Sequence, residues 1–394
     1  MSVANRQEFI SKIAKISFYL AVVIEVMIVL VDKSAYTNPI EGRLFQVTFV
    51  LCLVTVLLTK YSLREYVTIA LFLFLGAVSY FITERNEIIR GVMLIAACKN
   101  IDMRKCMKLI FYMTLTGCGL IVILSVLGVG GVVSLTQDYG RGQVEVRYTL
   151  GMGHPNALQC MVWALTTLGV YLYHKKLKWG HYLLVLLINV FFFVLTDSKT
   201  GLLVGAFTIF LFALFSFLEK RNRGKQICAA GSIAICAASI LGSVAIAAGA
   251  MSLWRRNVQG VPGKVADLLA FADRFLTGRI ASLIGNTHHE GVMETWRVFS
   301  GPESVYYFDL GWVRLFYWYG VIPAVIAIGV LFVFLIYFYK KEMFAEMAVI
   351  TAFSLYTVIE AHAVSVYMAR NYVLFIIGMY WCAVLYKANW ERRR

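Results

Sequence analysis

The chain has 394 residues, of which 60% are hydrophobic and 15% charged, with a formal net charge of +15. A typical soluble domain is about 45–50% apolar and about 25% charged, so composition excludes a soluble fold. The basic balance does not indicate nucleic acid. Most of it falls in short segments between apolar runs, where anionic lipid attracts it.

Apolar blocks of about 17 to 24 residues recur along the chain, and at 1.5 Å per residue each can cross a hydrocarbon core of roughly 30 Å. Barrel strands would be about 9–11 residues long with alternating polarity, which the uninterrupted runs at 182–196 and 201–218 are not. The sequence therefore predicts an all-α integral membrane protein with about 12 transmembrane helices. The blocks are 13–31, 44–59, 66–82, 88–98, 109–127, 156–173, 182–196, 201–218, 226–250, 320–339, 343–360 and 370–386. The whole chain, 1–394, reads as a single multi-pass domain. The first block ends in VDKSAY without a small-residue cleavage site and reads as an uncleaved anchor.

Lys and Arg of short loops stay in the cytoplasm. The basic segments here occupy every second connection. They are Arg6, Lys12 and Lys15; Lys60 and Arg64; Lys99, Arg104, Lys105 and Lys108; Lys175, Lys176 and Lys178; Lys220, Arg221, Arg223 and Lys225; Lys340 and Lys341; and Lys387 with Arg392, Arg393 and Arg394. This alternation predicts both termini inside. It also makes the short block 88–98 a crossing, since its removal would put Lys99 to Lys108 outside. The eight cysteines lie in or beside apolar blocks, so neither a disulfide framework nor a thiolate metal site is expected.

Two connections exceed the usual length, 128–153 and 251–309, and both fall outside. In the second, Trp254, Leu268, Leu269, Phe271, Phe275, Leu276, Ile280, Leu283, Ile284, Trp296 and Phe299 recur at partly helical spacing, which predicts about two interfacial helices in an ordered extracytoplasmic loop. Its basic residues Arg255, Arg256, Lys264, Arg274, Arg279 and Arg297 suit an anionic headgroup or a solvated face. The loop runs into DLGWVRLFYWYG at 309–320, whose aromatics fit an interfacial belt. Asp309 and Arg314, entering the membrane there, must be hydrated, paired or used.

Three further polar groups precede or join spans. GMGHPN at 151–156 fits a helix start, with Pro155 in the first turn and His154 or Asn156 as cap. TDSKTG at 196–201 is a tight turn in which Asp197, Ser198 or Thr200 can cap and Lys199 can snorkel. Glu360, His362, Tyr367, Arg370 and Asn371 are costly in lipid and indicate a wet cavity or a structural Glu360–Arg370 pair. Glu25 is a lone acid in the first span, with no partner nearby in sequence.

Taken in order, GHPN at 153–156, TDSKTG at 196–201, DRFLTGRI at 273–280, DLGWVRLFYWYG at 309–320 and the Glu360–Asn371 segment resemble the O-antigen polymerase and ligase family, most closely capsular and exopolysaccharide repeat-unit polymerases of Gram-positive type. The resemblance covers roughly 150 to 375. It implies a polysaccharide polymerase of the cytoplasmic membrane with an extracytoplasmic active face, joining polyprenyl-pyrophosphate-linked oligosaccharides by metal-independent inverting glycosyl transfer without a cofactor. A chain-length regulator is the further partner it allows.

On that resemblance Asp309, Arg279 and Glu360 are the catalytic candidates. Lys199, His154, Asn156, Arg147, Arg314, Arg370 and Asn371 are the substrate-binding ones. Arg279 would meet the leaving pyrophosphate with its bidentate fork, Lys199 as a point charge, and a carboxylate or imidazole would take the acceptor proton. Two positions depart from the family pattern. Lys199 stands where Arg usually follows Ser, and Asp309 stands where ligases carry His, which favours a polymerase with Asp309 as base. A helix N-cap is the competing role for Asp309. His288 and His289 match no motif and read as surface or supporting residues. The rival class is a lipid-linked oligosaccharide flippase or other multi-pass transporter, though neither internal repeats nor clearly broken helices are found. A structural scaffold would leave the polar clusters unexplained.

Overall fold

In the computed structural model, which describes residues 3–138, 144–220, 224–285 and 291–386, 76% of the chain is helical. Arg221, Arg223, His288, His289, Lys387 and Arg392 to Arg394 lie outside the described residues. The helices are α1 (Val3–Lys33), α2 (Glu41–Leu58), α3 (Leu63–Thr83), α4 (Glu87–Ala97), α5 (Met103–Val126), α6 (Pro155–Tyr173), α7 (Trp179–Thr196), α8 (Lys199–Lys220), α9 (Lys225–Gln259), α10 (Lys264–Phe275), α11 (Arg279–Gly285), α12 (Gly311–Tyr319), α13 (Val321–Lys341), α14 (Phe344–Tyr356) and α15 (Tyr372–Tyr386).

Every apolar block of the sequence overlaps one of these helices, though 343–360 runs four residues past the end of α14. Among the described residues eight of them are long and apolar enough to cross a membrane, namely α1, α2, α3, α5, α7, α8, α9 and α13. Block 88–98 becomes α4, whose 11 residues extend only about 16 Å, short of a hydrocarbon core. α14 and α15, with 13 and 15 residues, are also short. Length and composition together thus give fewer crossings than the alternation of charge.

A bilayer explains the surface. Leu57, Phe81, Val194 and Leu241 are 72, 82, 72 and 67% exposed on spanning helices, an arrangement that water would penalise and lipid does not. Helix ends are satisfied locally: Ser62 and Glu65 form a reciprocal capping box at α3, and Asp102 accepts from the Lys105 amide at α5. Glu25 finds the partner that its own neighbourhood could not reveal. Arg90 of α4 donates to it at 2.9 Å and Thr48 of α2 at 2.7 Å.

The middle of the bundle is α14, whose Ala348, Ile350 and Ala352 are wholly buried and which packs on α6, α8, α9, α13 and α15. A helix apolar on every side belongs in such a place. Beside it, α9 runs 35 residues, about 52 Å, well beyond a hydrocarbon core. The long connection therefore begins later than the sequence suggests, because 251–259 simply continues α9. The chain then folds back: α10 returns along α9, with Leu269 seated over Gly249 and Arg256 paired to Asp267 at 3.1 Å. α10 and α11 are the two expected loop helices.

One element is missing from the all-α reading. Within 128–153, β1 (Ser134–Asp138) and β2 (Val144–Tyr148) form an antiparallel ribbon, Ser134 opposite Tyr148 and Asp138 opposite Val144. Its polarity is reversed, with Val144, Val146 and Tyr148 exposed while Arg147 is turned inward and buried. Side chains alternate along a strand, so facing Arg147 inward forces the valines out.

A topological prediction follows from the basic segments. All eight native cysteines are buried or half-buried. A cysteine placed at exposed Gln259 should react with an impermeant thiol reagent on intact cells, and one at exposed Lys176 should not. Labelling at 176 from outside would overturn the orientation.

Candidate functional site

Arg279 is positioned by the turn between α10 and α11. Thr277 and Gly278 both take left-handed backbone, φ 54° and 81°, which glycine adopts freely and a β-branched threonine does not. Asp273 at the end of α10 holds this turn by accepting from the amides of Ile280 at 2.6 Å and Ala281 at 3.3 Å. Arg279 is thereby fixed as the first residue of α11, with its side chain only 7% exposed.

The guanidinium is shared among three elements. Nη1 donates to the Leu276 carbonyl at 3.1 Å and to Thr277 Oγ1 at 2.8 Å. Nη2 donates to Glu360 Oε1 at 3.1 Å, and Nε lies 3.4 Å from Asp309 Oδ2 without a hydrogen-bond acceptor among the described residues. Removing one partner of such a buried pair typically costs 3–5 kcal/mol, because the other charge is left unpaired. The Arg279–Glu360 contact is of that kind. The Asp309 side, 46% exposed, is screened and contributes far less.

The two carboxylates converge because α12 docks on the end of α14. The Gly311 amide donates to the Thr357 carbonyl at 2.8 Å, and a Cβ at Gly311 would fall 2.7 Å from Thr357 Cγ2 and 2.8 Å from Ala361 Cα. Only glycine permits that approach, which is what DLG contributes. The N-cap alternative for Asp309 is excluded: Leu310 occupies the cap position of α12, with no side-chain cap bond. Glu360 lies four residues beyond α14. Burial raises its carboxyl above the ordinary range, and the Asp309 charge raises it further, against the opposing pull of Arg279, Lys33 and Arg370.

His154 caps α6, as the local reading expects: its Nδ1 accepts from the Asn156 amide at 3.1 Å, with Pro155 in the first turn. That bond assigns the proton of the neutral ring to Nε2. Burial lowers its pKa and so does Arg147, while Asp309 and Arg279 also act on it, so the imidazole is neutral at neutral pH and lies in the field of the cluster. Arg147, facing inward from β2, holds Glu145 through Nε at 3.0 Å and lies 3.7 Å from Asp197 of the TDSKTG turn.

The other candidates are placed differently. Lys199 is exposed at the first residue of α8. Arg314, 1% exposed, donates through Nε to the Phe308 carbonyl at 2.6 Å and lies 3.3 Å above the Tyr307 ring and 4.7 Å from Trp318, so it braces the approach to α12. Arg370 donates to Ser365 Oγ at 3.1 and 2.7 Å rather than to Glu360, so of the two alternatives for this segment the Glu360–Arg370 pair is not formed. Asn371 is buried beside it.

Two features escaped sequence reasoning. Lys33, paired to Asp32 at 3.0 Å at the end of α1, lowers the Glu360 pKa through its charge. Its signal was a lysine at the end of a span opposite the basic segments. The second is a set of ligand-type atoms on Cys160, Glu360 and His362, all within 4.8 Å of one another. His362 is 1% exposed, stands edge-on to Trp163 and Tyr356, and its Nε2 has no hydrogen-bond partner among the described residues. Tyr356 Oη lies 2.8 Å from Cys160 Sγ. Thiol, imidazole and carboxylate are donor types that bind zinc, whereas the nearby charges of Lys33 and Arg370 oppose a cation. The eight cysteines in apolar blocks gave no hint of this grouping.

Fold and site together define a multi-pass helical membrane protein with a charged cluster built on one end of its bundle. Comparison with protein-family models, curated proteins and solved structures finds no match to this chain.

Proposed function

We propose that this protein is a membrane-embedded inverting glycosyltransferase of the O-antigen polymerase and ligase type. It joins oligosaccharide repeat units carried on polyprenyl pyrophosphate at the outer face of the cell membrane, in a chain that crosses about twelve times with both termini inside. The observation that carries the reading is a buried arginine set between two carboxylates of unequal exposure, with an Nε–H that has no hydrogen-bond acceptor among the described residues.

In this mechanism the acceptor hydroxyl gives its proton to Asp309, the more accessible carboxylate, while its oxygen bonds to the anomeric carbon of the donor. The carbon–oxygen bond to pyrophosphate breaks with its electron pair leaving on the phosphate oxygen. Attack opposite the leaving group inverts the anomeric centre. Arg279 stabilises the departing anion, and the Nε2–H of His154 offers a neutral donor to it. Glu360 orients Arg279. Lys199, exposed at the start of α8, is the point charge assigned to the second phosphate.

The test is incubation of purified protein with lipid-linked repeat units in detergent, read as a ladder on a gel. Single units unchanged in vitro, with loss of their transfer across the membrane in a deletion strain, would support a flippase instead. Polymerisation should also survive excess EDTA, since fixed guanidinium and ammonium charge meets the phosphate here. Loss restored by one divalent ion would instead direct attention to Cys160, Glu360 and His362.

A further inference from the structure

A cavity of about 1080 Å³ lies at the end of the bundle away from Arg279, between the ends of α6, α8, α13 and α15 and the starts of α5 and α14. Arg104 from α5, Lys175 from the connection after α6, and Lys340 and Lys341 from α13 all line it. Three separate elements therefore bring cations to one recess. Part of its wall is apolar, formed by Val333 and Ile336 of α13 and Met379 and Val384 of α15. Three acids also line it, and two already have donors: Glu342 pairs with Lys225 at 2.8 Å, and Glu346 Oε1 accepts from Tyr171 at 3.2 Å and Tyr380 at 3.0 Å. Glu219 is the third.

We propose that this recess is a binding site for one anionic phospholipid, its headgroup phosphate held by Arg104, Lys175, Lys340 and Lys341 and its acyl chains laid along α13 and α15. A small soluble anion would use the cations but leave the apolar wall wet. A zwitterionic lipid would use the wall but bring an ammonium group into a cationic recess. An anionic lipid matches both, and basic recesses between helices take such headgroups. The volume admits a headgroup with the first part of its chains. The site is independent of the glycosyl-transfer reading, since none of its residues belongs to the Arg279 cluster.

Native mass spectrometry of the purified full chain in detergent, titrated with phosphatidylglycerol or phosphatidylcholine, tests it. One phosphatidylglycerol should bind with at least about tenfold preference over phosphatidylcholine, and the variant Arg104→Gln/Lys175→Gln/Lys340→Gln/Lys341→Gln should lose at least about tenfold in affinity. Removing two distant charges with Lys12→Gln/Lys15→Gln should change nothing. If the fourfold variant does not fold, Lys340→Gln/Lys341→Gln alters only two exposed side chains and should still lose about threefold or more. Equal retention of the two lipids, unchanged binding in the Lys340 and Lys341 variant, or full displacement of the lipid by millimolar inorganic phosphate would each overturn the proposal.

Discussion

Asp309→Asn should lower turnover roughly 10²-fold or more while the protein stays folded and inserted. The change removes the basic carboxylate and keeps its shape. Because Leu310 and not Asp309 caps α12, no capping bond is lost. The Arg279–Glu360 contact at 3.1 Å persists, so the site keeps its frame. The measurement is the single-turnover rate on lipid-linked units, beside the melting temperature in detergent. Near-normal turnover would remove Asp309 from the role of base and pass it to Glu360. That residue is less suited in the resting site, since it is engaged by Arg279 and burial already favours its protonated form.

Arg279 should show the second large effect, and here stability and chemistry must be separated. Arg279→Lys keeps a charge but loses the fork that reaches Thr277, Glu360 and Asp309 together, so partial activity is expected, roughly 10-fold or more below the parent. Arg279→Ala should be worse on both counts, because Glu360 is left as an unpaired, largely buried carboxylate. Adding Glu360→Gln to Arg279→Ala removes that penalty. The double variant should regain most of the melting temperature and none of the turnover. Recovery of both would mean that Arg279 serves only to neutralise Glu360, and the phosphate role would be lost.

The helices were legible because apolar length is a local property: each block from 13–31 to 370–386 overlaps a helix. The cap at His154, and α10 and α11 in the long connection, were legible for the same reason. Pairings between distant segments were not. Arg279 and Glu360 stand 81 residues apart, Arg90 and Glu25 65 apart, and nothing in either neighbourhood names the partner. The motifs put Arg279, Asp309 and Glu360 on one short list, but only the docking of Gly311 on Thr357 brings the two acids to one guanidinium. The ribbon was missed because its exposed valines and buried Arg147 reverse the usual strand polarity. Block 88–98 reads as a crossing on the alternation of charge, whereas α4 is only 11 residues long and turns Arg90 onto Glu25 and Glu87 onto Tyr319.

The fold-back of α10 along α9 has a mechanical consequence. α9 packs on α14, α10 and α11 pack on α9, and the Arg279–Glu360 bond joins the start of α11 to the segment that leaves α14. These parts form a closed linkage of stiff rods, held by packing and braced by the Arg279–Glu360 ion pair. A rod of about 52 Å turns a small rocking angle into a displacement of ångströms at its far end. If α9 rocks against α14, the strain falls on that ion pair or on the Thr277–Gly278 turn, so the Arg279–Glu360 separation acts as a gauge of helix tilt.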